Sequence, residues 1–427
     1  MKPYKELTKE ELLAEKARLQ KDYDVAKDLG LKLDMSRGKP GTEQLDLTMS
    51  MLDILTKDAI LIDESGTDAR NYGVLDGIPE ARKLFGEVLG VAPDEVIIGG
   101  NSSLNMMYDN IVRGMLFGFA DSEKPWKDYE KIKWLCPVPG YDRHFAITEQ
   151  MGIEMINIPM TPEGPDMDLV EKYASEDETV KGIWCVPMYS NPQGITYSDE
   201  VVRRFATMKT AAKDFKIFWD NAYCIHHLTD TPDKLLNLLE EAKKAGTEER
   251  VFMFTSTSKI TFPGGGVATF AASKENVAYI KKLMSVQTIG YDKLKQMRHV
   301  RFFGDLDGIN RHMQLHRAIL EPRFNVVLDA LNKEIAPLEI AEWHRPHGGY
   351  FVSLDTMDGC AKRVVSLCKE AGVTMTPAGA TFPYGKDPRD RNIRIAPTFP
   401  SVEELFRAME LFCMCVKLAT VEKLLAE

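Results

Sequence analysis

Four side chains in the middle of this 427-residue chain have types and spacing that could act together on a bound small molecule: Asn191, Asp220, Tyr223 and Lys259. Lys259 follows the apolar run VFMF and two small hydroxyl residues, Ser256 and Ser258, and precedes a run of three glycines. A strand-exit lysine facing a cleft has its pKa lowered by desolvation or a neighbouring cation, which frees the amine for Schiff-base chemistry. The glycines beside it let backbone approach a bound ring or phosphate. Asp220 ends the strongly apolar IFWD, Tyr223 follows three residues on, and Asn191 leads an N-P-Q-G turn. Taken singly, each has a plainer reading: N-P-x-G is also an ordinary turn, a strand-end Asp also caps helices, and most lysines are solvated charges.

The elements that must position these residues are legible as alternating apolar runs and amphipathic stretches. The runs EVIIGG, KIKWLCPV, IEMINIPM, VKGIWCVPM, FKIFWD, VFMFTSTS and VATFAAS read as buried strands, and the helical stretches between them imply βαβ units. A mostly parallel sheet covered on both faces puts a ligand at the carboxyl ends of its strands. At the start, Thr8 with Glu11 makes a capping box, and Gly30 stands where a C-terminal cap belongs. From Lys293 to about Glu334 the pattern is helical without strands, broken by Gly304, Gly308 and Pro322. GGYFVSLD, GVTMTPAG and NIRIAP then read as strands of a smaller α/β unit closed by a helix from Ser401 to the end. A cleft between the two units is the expected site.

A lysine for an imine, an aspartate to keep a pyridine nitrogen protonated, and Asn plus Tyr for a phenolic oxygen are the groups that pyridoxal 5'-phosphate requires. Through S-N-P-Q-G, D-N-A-Y and S-T-S-K, in that order, the chain resembles the pyridoxal-phosphate-dependent aminotransferases of fold type I, class I/II. The likeness runs from SRGKPG to NIRIAP, and the SRGKP loop and GGGV run resemble the divergent aspartate aminotransferase (MocR-like) subgroup. The resemblance implies an α/β fold with a large, mostly parallel seven-stranded domain and a smaller α/β domain. The expected division is 1–45, an N-terminal helix and loop joining the small domain; 46–300, the large cofactor-binding domain; and 301–427, interdomain helices and the small domain.

The same resemblance assigns roles residue by residue. GGNSS points to Asn101, Ser102 and Ser103 as a phosphate cradle at a helix start, a turn that by itself also reads as a plain cap. In CPVPGYDRHF, Tyr141 resembles the aromatic residue that stacks on the pyridine ring, and His144 the histidine that buttresses Asp220. Ser256 and Ser258 join the phosphate set. Tyr72, in ARNYGVLDG, resembles the tyrosine that reaches the phosphate of a neighbouring subunit, which implies a homodimer with shared sites; its plainer reading is a packed loop residue. Arg394 resembles the arginine that grips the substrate carboxylate, and Gly38 the glycine bordering the substrate. One departure stands out: no Arg follows Lys259 through Val267, where many relatives carry one for the phosphate. A side-chain carboxylate needs a second cation, with Arg37, Lys39, Arg143 and Arg301 as candidates and Arg37 favoured for its loop.

The implied activity moves an amino group from aspartate or glutamate to 2-oxoglutarate or oxaloacetate. Alanine or aromatic donors, or a C–S lyase on the same cofactor, are the alternatives. A cofactor-binding transcriptional regulator is disfavoured, because only about 35 residues precede the SRGKPG loop, too few for a winged helix and linker. Composition agrees: 54 Lys and Arg against 64 Asp and Glu give a net charge of −10, which argues against nucleic acid as a partner. No run is long and apolar enough for a bilayer, no signal peptide is evident, and the expected location is cytoplasmic. Seven cysteines without a C-x-x-C pair support neither a disulfide framework nor a metal site, and Cys413 and Cys415 read as helix core.

Overall fold

The computed structural model describes residues 2–427. Short strands of continuous apolar sequence form where both faces are covered. In chain order these are β1 (Leu33–Asp34), β2 (Val96–Ile98), β3 (Lys133–Val138), β4 (Glu154–Thr161), β5 (Gly164–Pro165), β6 (Val180–Cys185) and β7 (Lys216–Asp220). They continue with β8 (Val251–Ser256), β9 (Ala268–Ala271), β10 (Ala341–Trp343), β11 (Val352–Thr356), β12 (Val373–Thr374) and β13 (Asn392–Ile395). The main sheet has the order β2-β9-β8-β7-β6-β3-β4-β5. Strands β4, β3, β6, β7 and β8 are mutually parallel, while β9 runs against both β8 and β2. All seven apolar runs of the large unit form strands of the expected mostly parallel sheet, and a short eighth strand joins it at the β4 edge. The extra one, β5, is a two-residue return that pairs antiparallel with the end of β4, too short to carry a pattern of its own.

The strand order reverses around β3, which lies between β6 and β4. Such a switch opens a crevice at the carboxyl ends of the flanking strands. Because β9 is antiparallel to both its neighbours, β2 points the same way as β8, so the exits of β2, β3, β6, β7 and β8 all lie on one side. At the other end of the sheet, Lys181 Nζ meets Asp214 Oδ1 at 2.9 Å, and Lys216 Nζ meets Asp121 Oδ2 at 2.7 Å. Lys181, Asp214 and Lys216 are all buried.

The second unit is a three-stranded antiparallel sheet, β10-β11-β13, and a two-stranded parallel one in which β1 pairs with β12. The N-terminal segment is thereby stitched to the chain's last third. Its helix, Lys9–Asp28, has the Thr8 and Glu11 capping box, with Gly30 at φ +62° just beyond its end, and packs on the final helix, Val402–Ala426. Of the three breaks expected between Lys293 and Glu334, only Gly304 interrupts the chain, separating the helices Lys293–Phe303 and Leu306–Glu334. Gly308 lies in the first turn, its amide donating to the N-cap Asp305 at 2.7 Å. Pro322 stays inside the helix, where buried Leu320, Phe324, Val327 and Leu328 hold both sides against the core; packing outweighs the lost hydrogen bond. Cys413 and Cys415 are buried in the final helix, as read from the sequence. Among the described residues, no helix is long and apolar enough to cross a membrane.

Candidate active site

The exits of β2, β3, β6, β7 and β8 each deliver one piece of a single cavity of about 180 Å³. After β2, the helix Ser103–Phe117 begins with Ser102 and Ser103 on the cavity wall. Ser102 is the N-cap, yet its side chain caps no amide of the helix, so the first-turn N–H groups remain available to an anion. After β3 comes Tyr141; after β6, Asn191; at the end of β7, Asp220 and Tyr223; after β8, Ser256, Ser258 and Lys259. The Val138–Pro139 and Asn191–Pro192 peptide bonds, both in these exits, are cis.

Asp220 shows what the cavity is built to hold. Its Oδ2 is 3.0 Å from His144 Nε2, and that imidazole stacks on Trp184 at 4.5 Å between ring centroids, which locks its plane. Its Oδ1 is buried with no hydrogen-bond partner among the described residues. A buried carboxylate oxygen left unpaired is costly unless a ligand supplies the donor. A protonated heterocyclic nitrogen entering between Tyr141 and Lys259 is such a donor, so the residues present fit a pyridinium ring.

Lys259 is enclosed by aromatic rings, with Nζ 5.2 Å from the centroid of Tyr223 and 5.7 Å from that of Tyr350. Burial pushes its pKa below the ordinary lysine value; Asp220 opposes this and Arg394 adds to it. Burial likewise raises the phenols of Tyr141 and Tyr223, which keeps them as neutral donors. Behind the lysine, His312 Nε2 donates to Ile260 O at 2.8 Å, and Tyr350 Oη donates to Lys259 O at 3.4 Å. The lysine's carbonyl is therefore anchored to the loop before β11, and that of the next residue to the long helix.

Arg394, in β13, lies beside Asn191: Nη1 donates to Asn191 Oδ1 at 3.3 Å and to Asp142 Oδ1 at 2.9 Å. Its guanidinium carbon sits 4.8 Å from the Phe351 ring centroid. Gly38 is where backbone must pass close to that ring, since a Cβ there would fall 2.5 Å from Phe351 Cζ. The sequence-derived set thus converges, with three exceptions. Asn101 turns its amide away to donate to Pro263 O at 3.0 Å. Tyr72 is 78% exposed and touches no part of this chain's cavity, so it is not the packed loop residue of its plainer reading. Arg37 is exposed and, like Lys39, Arg143 and Arg301, is not on the cavity wall; Lys39 covers Phe399, and Arg301 donates to Ile60 O. Among the described lining residues Lys259 is the only cation, and helix amides and the hydroxyls of Ser102, Ser103, Ser256 and Ser258 are the other groups there that could meet an anion.

Sequence reasoning missed Asp142, Trp184, Tyr350 and Phe351. The paired glycines of GGYF were the available signal for the last two: a Cβ on Gly348 would lie 2.3 Å from Tyr189 Cε2, so this loop hugs the β6 exit. The strand read there begins only at Val352.

Comparison with known proteins identifies the family. A family model described as aspartate amino-transferase matches residues 7–427. The chain is 45% identical over 404 residues to an aspartate aminotransferase of Corynebacterium glutamicum, covering 95% of this chain and 93% of the other. A crystal structure of an aspartate transaminase from that organism superposes with a TM-score of 0.95 at 44% identity, covering 97% of each chain. The α-aminoadipate aminotransferase of Thermus thermophilus, solved with N-(5'-phosphopyridoxyl)-L-leucine, shares the fold with a TM-score of 0.72 at 20% identity, covering 92% of this chain and 93% of the other. The chain belongs to the aspartate aminotransferase family of fold type I.

Proposed function

We propose that this aminotransferase works with pyridoxal 5'-phosphate held by Lys259 and takes its amino group from aspartate or glutamate, passing it to 2-oxoglutarate or oxaloacetate. The observation that carries the cofactor assignment is the unpaired, buried Oδ1 of Asp220 across the cavity from a desolvated lysine. Asp220 would pair with the ring nitrogen, Asn191 and Tyr223 with the phenolic oxygen, and Tyr141 would cover one face. Ser102, Ser103, Ser256, Ser258 and the helix start at Ser103 would hold the phosphate. When bound, the cofactor supplies an electron sink for the pair left behind when the substrate's Cα–H bond breaks. Lys259 Nζ takes that proton and returns it, general base and then acid, and its lowered pKa favours the neutral amine that the first duty needs. Arg394 orients the substrate's α-carboxylate, His144 keeps Asp220 aimed, and the aromatic wall of Tyr223, Tyr350 and Phe351 limits water.

The aspartate preference is supported by the family model and by the relative from C. glutamicum. Arg37 is the proposed partner for the second carboxylate, because its loop borders Phe351 through Gly38. We further propose a homodimer in which Tyr72 completes the partner's phosphate site. Gly73, next to Tyr72 in sequence, is approached closely by Gly290, and Val286 and Ile289 just before Gly290 are exposed, an apolar surface suited to a second copy. The division at 45 and 300 and a cytoplasmic location complete the reading; β1 pairing with β12 supports the first, and seven unpaired cysteines fit a reducing compartment. Steady-state turnover of aspartate with 2-oxoglutarate tests the function. Parallel double-reciprocal lines are expected. Turnover only with alanine or aromatic donors would overturn the substrate, and pyruvate plus ammonia from a cysteine conjugate without an acceptor would overturn the reaction.

A further inference from the structure

The arginine assigned to the substrate carboxylate already holds a carboxylate of its own chain. Arg394 Nη1 has two protons and two acceptors, Asp142 Oδ1 at 2.9 Å and Asn191 Oδ1 at 3.3 Å. Nε reaches Thr376 Oγ1 at 3.4 Å, and Nη2 makes no hydrogen bond to any described residue. An incoming carboxylate can meet Nη2 at once, but its second prong on the Nη1 side needs the proton held by Asp142. The two partners are unequally fixed. Arg394's side chain is 7% exposed and stacked on Phe351, whereas Asp142's is 35% exposed. Asp142 is also the first residue of the helix Asp142–Gln150, where the helix start favours a negative charge that has let go of its partner. The carboxylate is therefore the member of the pair that can leave.

We infer that Asp142 is an internal occupant of the α-carboxylate position on Arg394, which every amino or 2-oxo acid must displace, and that it thereby sets how tightly the enzyme holds its substrates. The inference rests on Arg394 being the substrate's carboxylate partner. Asp142 acts through Arg394 and is a positioning residue. Its place in the turn that also carries Tyr141 and His144 ties release of the arginine to the segment covering the ring.

Calorimetric titration of the holoenzyme with succinate, an unreactive dicarboxylate, separates the possibilities when run on wild type, Asp142→Asn, Asp142→Glu and Arg394→Gln. Asp142→Asn should bind succinate ~2- to 5-fold more tightly, the size of one partly exposed ion pair. Its KM for aspartate should fall in parallel, while Asp142→Glu returns both toward wild type. Unchanged or weaker succinate binding in Asp142→Asn would overturn the inference, weaker binding meaning that Asp142 orients Arg394 for the substrate. If Arg394→Gln binds succinate as well as wild type does, the failure lies with the role given to Arg394 instead.

Discussion

Lys259 has to be neutral to act as a nucleophile or base, yet a lysine amine in water is protonated at neutral pH. Burial among Tyr223, Tyr350 and the cavity wall tips the balance, since desolvation penalises the ammonium more than Asp220 favours it. Lowering a lysine's pKa extends the neutral form to lower pH. In cofactor-free protein, acetylation of Lys259 followed by peptide mass spectrometry should therefore have a pH midpoint below the ordinary 10.5. A midpoint at or above that value would contradict a desolvated amine. At this scale, the residues legible in the sequence were those at strand exits: Asn191, Asp220 and Lys259 each follow an apolar run closely enough to be placed by position. His144 and Arg394 were reached only through resemblance, because their partners are remote; His144 meets Asp220 across 76 positions of sequence and Arg394 meets Asp142 across 252. Asp142 carried no signal at all, since an Asp opening a helix looks the same whether or not an arginine arrives from the far end of the chain.

The elements of the main sheet were legible because a strand buried on both faces must be apolar throughout, and such runs are hard to mistake. What escaped was short: β1 and β5 are two residues each and β10 is three, and pairing partners rather than local pattern define them. Pro322 shows the opposite limit, a helix breaker overruled by burial on either side. The strand starts hold a disguise. Lys181 and Lys216 stand inside apolar strands and look like surface charges, but each is buried on a carboxylate, and Asp214 also accepts from Ser122 and Trp126 at 2.7 and 2.8 Å. Replacing Lys181 with Met would leave Asp214 buried without its cation, a loss of about 3–5 kcal/mol in unfolding free energy. Urea denaturation measures it; a loss under about 1 kcal/mol would show that the pair is solvated like a surface bridge.

For the whole molecule, the exposure of Tyr72 is the feature that most needs a second chain. If it completes a neighbour's phosphate site, Lys259→Ala and Tyr72→Ala chains should complement one another. In mixed dimers one site combines Lys259 from the Tyr72→Ala chain with Tyr72 from the Lys259→Ala chain. Activity of the refolded mixture should rise above that of either parent. Activity that never exceeds the simple average of the parents would mean that each chain builds its site alone. The arginine absent after Lys259 has a proposed substitute in the hydroxyls and the helix start that the strand exits bring to the cavity wall.

The most direct test of the central claim is the absorbance spectrum of the purified protein with pyridoxal phosphate, first alone, then with aspartate, then with 2-oxoglutarate. The account predicts a cofactor band that aspartate abolishes and 2-oxoglutarate restores, with both steps lost in Lys259→Ala. A band indifferent to aspartate but responsive to alanine or an aromatic amino acid would contradict the substrate, and no band at all would contradict the cofactor and the role of Lys259 together.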